Sequence, residues 1–212
     1  MIKIGQTALM VPGISNVYIG TNRVYGVPNT FRKLTGIEFS STTYYEITGF
    51  KLRGSDTVRF SVAVDKACNV FGCYTTGSAT DNYSLYISTA TNARYLRYNG
   101  STYKSYWRDQ DMGERFDIVI TPTGSSGMPG TQDDTWTEQT FTAPSNMCIC
   151  TTSTGASSAK LDGKMYGNFV VDGRFCGVPV ERISDGAVGY YDLFSDTFYE
   201  PIGSNPDIID YA

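Results

Sequence analysis

From residue 57 to 65 apolar and polar positions alternate, with Ala63 the one exception. Val58, Phe60, Val62 and Val64 fall on one side, and Thr57, Arg59 and Ser61 on the other. A period of two belongs to an antiparallel strand with one face buried. The alternation returns at residues 83–88, where Tyr83, Leu85 and Ile87 share one face. Residues 44–47, 69–74, 94–98, 101–107, 116–120 and 147–150 read as further strands. Two of these, 94–98 and 101–107, flank Asn99-Gly100, a dipeptide suited to the positive φ of a two-residue hairpin turn. Residues 164–199 read as a closing β-meander, punctuated by Asp172-Gly173, Ser184-Asp185-Gly186 and Ser195-Asp196. No window carries helical periodicity. The pattern predicts an all-β fold, an antiparallel β-sandwich of the jelly-roll kind. Residues 121–135 show no apolar period and are expected to form a long functional or mobile loop. Residues 136–141 are expected to be a short strand, 151–160 a loop, and 202–212 carry no usable pattern.

The first thirty residues follow a different rule. Ile4, Gly5 and Leu9 recur as Ile19, Gly20 and Val24, so residues 3–10 and 18–25 align at a constant offset of fifteen. Each copy reads as a small hairpin, with Pro12-Gly13 and Val27-Pro28 as punctuation. Isolated hairpins are marginal in water. Residues 1–30 are therefore expected to be an attachment arm that packs on a neighbour, with Ile4, Tyr18, Ile19, Val24 and Tyr25 as its apolar contacts. Residues 31–212 form the main domain.

The segment PVERISDGAVGYYDLFSDTFY, residues 179–199, resembles the closing segment of concanavalin A-like, or laminin-G-like, jelly-roll domains. These occur in minor structural and fibre proteins of bacteriophages and prophages of gut bacteria. Gly163-Lys-Met-Tyr166 and the Val-Val-Asp-Gly turn resemble the preceding strand of the same domains, and the arm's Tyr-Ile-Gly-Thr-Asn resembles short repeats that precede them. The likeness spans roughly residues 35–200. It implies a concanavalin A-like jelly roll displayed on a virion as a head or tail fibre or decoration component. It also implies contacts with other virion proteins through the arm, a homo-oligomer, and assembly in the host cytoplasm.

Composition narrows the chemistry. Seventeen lysines and arginines against 21 acids give a net charge of −4, so nucleic acid is not an expected partner. The chain has no histidine, which removes the commonest general base and the commonest transition-metal ligand. No stretch has the apolar length of a signal peptide or a membrane span, so membrane insertion is not expected. The five cysteines, Cys68, Cys73, Cys148, Cys150 and Cys176, are expected to be buried and reduced. Cys148-Ile-Cys150 has strand spacing, which predicts both thiols on one face.

Glucanases of related fold cut with paired carboxylates spaced along one strand, close enough for a retaining mechanism. The nearest approach here is Glu114-Arg-Phe-Asp117, which lacks both the spacing and a second glutamate. No serine-nucleophile or phosphate-loop motif is present. Asp81-Asn82, Asp133-Asp134 and Asp162 are possible oxygen donors to calcium but have no metal-loop stride. No enzyme activity, cofactor or metal is expected. A glycan-binding face remains an alternative, since sugars need an aromatic platform flanked by polar groups. Tyr86, Tyr95, Arg97, Tyr103 and Trp107 are its candidates, and packing against the arm or another subunit is the competing use of the same residues.

Overall fold

The computed structural model describes residues 16–19, 22–73, 80–88, 93–99, 101–106, 113–127, 134–152 and 160–212; for 16–25, 88, 93–97, 102–106 and 134 this is the backbone. Among the described residues there are strands and turns and no helix. The arm contributes β1 (Asn16–Ile19) and β2 (Asn22–Gly26). They pair antiparallel as a sheet of their own, with Ile19 opposite Asn22. This matches the hairpin expected from the second sequence repeat. The first repeat, with Ile4, lies outside the described residues.

The main domain runs through β3 (Phe31–Ser40), β4 (Tyr45–Ile47), β5 (Val58–Val64), β6 (Cys68–Cys73), β7 (Tyr83–Ser88), β8 (Ala93–Tyr98) and β9 (Ser101–Tyr106). It continues through β10 (Phe116–Thr121), β11 (Gly124–Ser126), β12 (Asp134–Thr135), β13 (Met147–Ile149) and β14 (Asp162–Val171). The meander follows as β15 (Phe175–Arg182), β16 (Val188–Asp192), β17 (Thr197–Tyr199) and a last strand, β18 (Asp207–Tyr211). A ten-stranded sheet has the order β12-β11-β10-β5-β14-β3-β15-β16-β17, with β18 added on β3. A six-stranded sheet has the order β4-β13-β6-β7-β8-β9. The two pack face to face as an antiparallel β-sandwich.

The core follows from the period of two. On β5, Val58, Phe60, Val62 and Val64 are buried while Arg59 is exposed. From the other sheet Phe71 of β6 meets them: its ring lies 5.3 Å from Phe60, 5.6 Å from Phe169 of β14 and 6.0 Å from Tyr83 of β7. Such tilted and edge-on aromatic contacts add to the burial of apolar area. Phe175, Val188 and Tyr190 extend this core into the meander. The residues alternating with them, Cys176, Val178, Val180 and Tyr191, gather with Val27 into a second apolar cluster, against which Phe31, Leu193 and Phe198 pack. Val27 directly follows β2, so the root of the arm is seated in this cluster.

The meander turns are those the sequence indicates. Gly173 and Gly186 have φ of +69° and +72°, a left-handed backbone in which glycine is unstrained. The β14–β15 turn is also tied inward. Arg174 pairs with the buried Asp56, lies 4.6 Å from the Phe50 ring centroid, and donates to the Lys51 carbonyl at 3.0 Å. Asp56 also accepts from the Arg53 amide at 2.8 Å, so the buried carboxylate is satisfied.

Four expectations need correction. Residues 121–135 are not structureless throughout: Pro122-Thr123 turns β10 back as β11, and β12 adds to it. These short strands are polar, so no apolar period marked them. Residues 128–133 lie outside the described residues. Residues 136–141 are not a strand; Trp136 and Phe141 anchor an irregular segment by packing on Tyr98, at 5.5 and 5.1 Å. The tail pairs along β3 as β18, an edge strand with exposed ends whose apolar residues Ile208 and Ile209 are adjacent rather than alternating. Finally, Cys148 and Cys150 do not share a face. The strand ends at Ile149, and φ of +68° at Cys150 turns that residue into the main core, where its thiol donates to Met165 Sδ at 3.7 Å.

All five thiols are free and buried, as expected. Burial pushes Cys68, Cys73, Cys148 and Cys176 up to about 12, and Cys150 well above its ordinary value of 9. The unfolded chain releases these protons near pH 9 and the folded chain does not. Their contribution to stability is therefore complete below pH 9 and lost as the pH rises toward 12, at about 1.4 kcal/mol per pH unit for each thiol. Urea midpoints are expected to fall between about pH 8 and about pH 10.5, while an aromatic disulfide reagent leaves the native thiols unlabelled. A flat midpoint with rapid labelling would contradict this burial.

Candidate ligand face

The hairpin at Asn99 fixes the geometry of this face. Asn99 has φ of +47°, and Tyr98 pairs with Ser101, so β8 and β9 are in two-residue-turn register. Counting back from the turn, Arg97 pairs with Thr102, Leu96 with Tyr103, and Tyr95 with Lys104. On the other side of β8, Arg97 pairs with Ser84 and Tyr95 with Tyr86. Ser84 in turn pairs with Gly72, Gly72 with Cys148, and Cys148 with Glu46.

Two rows result. One crosses the whole sheet as Glu46, Cys148, Gly72, Ser84, Arg97 and Thr102. Beside it runs Asn69, Tyr86, Tyr95 and Lys104. Both rows alternate with core positions: Phe71, Tyr83, Leu85 and Ile87 belong to the core, so Ser84 and Tyr86 lie on the outward side. Of the sequence candidates, Tyr86, Tyr95 and Arg97 therefore come together. Tyr103 does not join them; its register partner is Leu96, one step out of phase, and Lys104 takes the position beside Tyr95. Trp107 lies outside the described residues.

The middle of this face is closely packed. Ser84 is 1% exposed, and its Oγ has no hydrogen-bond partner. Asn69 is 7% exposed and Cys148 fully buried. A Cβ at Gly72 would stand 2.4 Å from Cβ of Ser84, so the approach of β6 to β7 here requires glycine. Gly72→Ala is expected to force these strands apart and lower stability by about 1 to 3 kcal/mol, measurable by urea unfolding; an unchanged midpoint would show that the approach is not needed. At the β4 end, Glu46 Oε1 accepts from Asn146 Nδ2 at 2.6 Å.

No family model matches the chain. No curated protein matches it either.

The acids occupy other positions. Asp117 lies on the outward side of the large sheet. Its carboxyl is held below the usual carboxylate range first by the Ser61 hydroxyl, which donates to it, and then by the charge of Arg115. Glu114 is exposed three residues earlier. Asp162 is bound by Lys66 Nζ at 2.8 Å, and Asp81 uses its amide to donate to Asn99 Oδ1 at 3.2 Å. Asp192, 2% exposed, is consumed by four donors, three in the β16–β17 turn and the Cys176 amide on β15. Among the described residues no three His, Cys, Asp or Glu side chains converge as a metal site. Asp133 lies outside the described residues. The sequence reading missed Ser84, Asn69 and Lys104. Counting pairs back from Asn99-Gly100 would have found Lys104 opposite Tyr95.

Proposed function

We propose that this chain is a non-enzymatic virion structural protein, a bacteriophage head or tail fibre or decoration component that displays its β-sandwich on the particle surface and is attached through its N-terminal arm. The observation that carries the reading is the arm itself. The β1–β2 hairpin forms a sheet separate from the two sheets of the domain, and its root at Val27 is gripped by a dedicated apolar cluster on the meander. A two-stranded hairpin stands poorly alone in water and gains its stability from what it packs against. An arm that forms its own sheet and is seated on the domain at its root suits a protein held in a larger assembly, as a homo-oligomer seated on other virion proteins. The likeness of residues 179–199 to phage jelly-roll domains supplies the setting, the virion surface of a particle assembled in the bacterial cytoplasm.

Antibody against the chain, applied to phage particles encoding it and viewed by electron microscopy, tests this reading. Label on heads or tails is the expected result. Particles that carry no label would refute it.

A second reading, binding of a host or mucosal glycan, is favoured by one specific observation: the register that brings Tyr86, Tyr95 and Arg97 onto one face around the unpartnered hydroxyl of Ser84. The two readings are compatible, since a displayed domain is free to adhere through its outward sheet.

A further inference from the structure

We propose that the outward face of the six-stranded sheet takes an anionic saccharide, one bearing carboxylate or sulfate groups. This deepens the glycan-binding reading and rests on it. The row Asn69, Tyr86, Tyr95, Lys104 lies beside the row Ser84, Arg97, Thr102, so two tyrosine positions directly opposite each other are bordered by an arginine position and a lysine position. Cross-strand partners are about 5 Å apart, and neighbouring rows on one face are separated by two residues of strand, roughly 7 Å. This is the scale of one or two pyranose rings.

Charge gives the ligand its sign. The protein is acidic overall, yet residues 83–108 hold Arg94, Arg97, Lys104 and Arg108 and not a single Asp or Glu. The segment carries positive charge only. Along the Ser84 row the described acid is Glu46, at the far edge of the sheet and bound by Asn146. Tyrosines provide apolar faces for sugar C–H groups with hydroxyl tips for polar contacts. A guanidinium matches the planar fork of a carboxylate or the oxygens of a sulfate, and an ammonium adds a point charge.

Calorimetric titration of the full chain tests the proposal with four probes: trigalacturonate, its fully methyl-esterified form, a heparin tetrasaccharide and an oligothymidylate. The expected result is binding of trigalacturonate, the heparin fragment or both, weakening as salt is raised. The two arms separate carboxylate from sulfate recognition. The methyl ester, with the same rings and no charge, is expected to bind about tenfold more weakly or worse, and Arg97→Gln and Lys104→Gln to erase that difference. Thermal melts confirm that the variants fold. Equal binding of acid and ester would overturn the proposal and leave the glycan reading standing. Failure of every saccharide would overturn both. Tighter binding of oligothymidylate would replace the saccharide with a single-stranded nucleic acid, for which aromatic and basic faces also serve.

Discussion

Phe71→Ala is expected to destabilise the fold by about 3 to 5 kcal/mol, the range for truncating a fully buried aromatic ring. Phe71 is completely buried, and its ring touches Phe60 and Phe169 on the large sheet and Tyr83 on the small one. It is thus a key between the two layers, and the cavity left by alanine would be walled by strands from both, which cannot collapse on it without breaking ladders. A domain of this size has about 5 to 15 kcal/mol in hand, so one substitution removes a large share. Phe71→Leu keeps most of the volume and is expected to cost about half as much or less. Urea unfolding of the three proteins checks the order. A cost for alanine below that for leucine would mean that the ring does not bridge the sheets.

Asp192→Ala is the second large effect, expected at about 2 to 4 kcal/mol because buried donors lose a charged acceptor. Its Oδ1 accepts from the amides of Cys176 at 2.8 Å and Phe194 at 3.1 Å. Its Oδ2 accepts from the Ser195 amide at 3.1 Å and the Ser195 hydroxyl at 2.7 Å. All four partners are donors, which makes Asp192→Asn informative. An amide has one oxygen where the carboxylate has two, and its NH2 would face the donors of Ser195. Asparagine is therefore expected to rescue little, and the two variants should unfold at similar urea concentrations. A fully stable Asn variant would show that the charge and the second oxygen are dispensable.

How much of this could be read from the sequence depends on which physical signal each element carries. β5 and β7 were legible because one face is buried and the other is not, so Val58, Phe60, Val62 and Val64 mark their own period. The meander was legible because its turns demand particular residues: Gly173 and Gly186 lie at positive φ, and so does Asp196. β11, β12 and β18 were not: β11 and β12 are short and polar and are held by backbone ladders, and in β18 Ile208 and Ile209 are adjacent and mark no alternation. Trp136 misled in the opposite direction: an apolar residue in an irregular segment anchors it to Tyr98 without any strand period.

The candidate face was half legible. Tyr86, Tyr95 and Arg97 follow from strand parity alone. Placing Lys104 rather than Tyr103 beside them needs the register of β9, and the Asn99 turn dictates that register to the residue. Ser84 and Asn69 were hidden for a different reason. They are polar residues on a face that alternation marks as outward, and only the three-dimensional packing reveals that they are nearly inaccessible.

The position of β3 has a consequence for how the chain reaches this state. β3 spans residues 31–40, among the first to be synthesised in the domain. Its ladder partners are residues 162–166 of β14, 180–182 of β15 and 207–211 of β18. Every hydrogen-bonded neighbour of this central strand therefore comes from the last quarter of the chain. Contacts of such high sequence separation are entropically expensive to close and slow folding into the millisecond-to-second range. On the ribosome, the apolar face of β3, with Leu34, Ile37 and Phe39, has to wait for almost the whole domain before it is covered. The domain thus closes late, stitched shut by its last strands, and a chain cut short before residue 160 is expected to remain open and aggregation-prone.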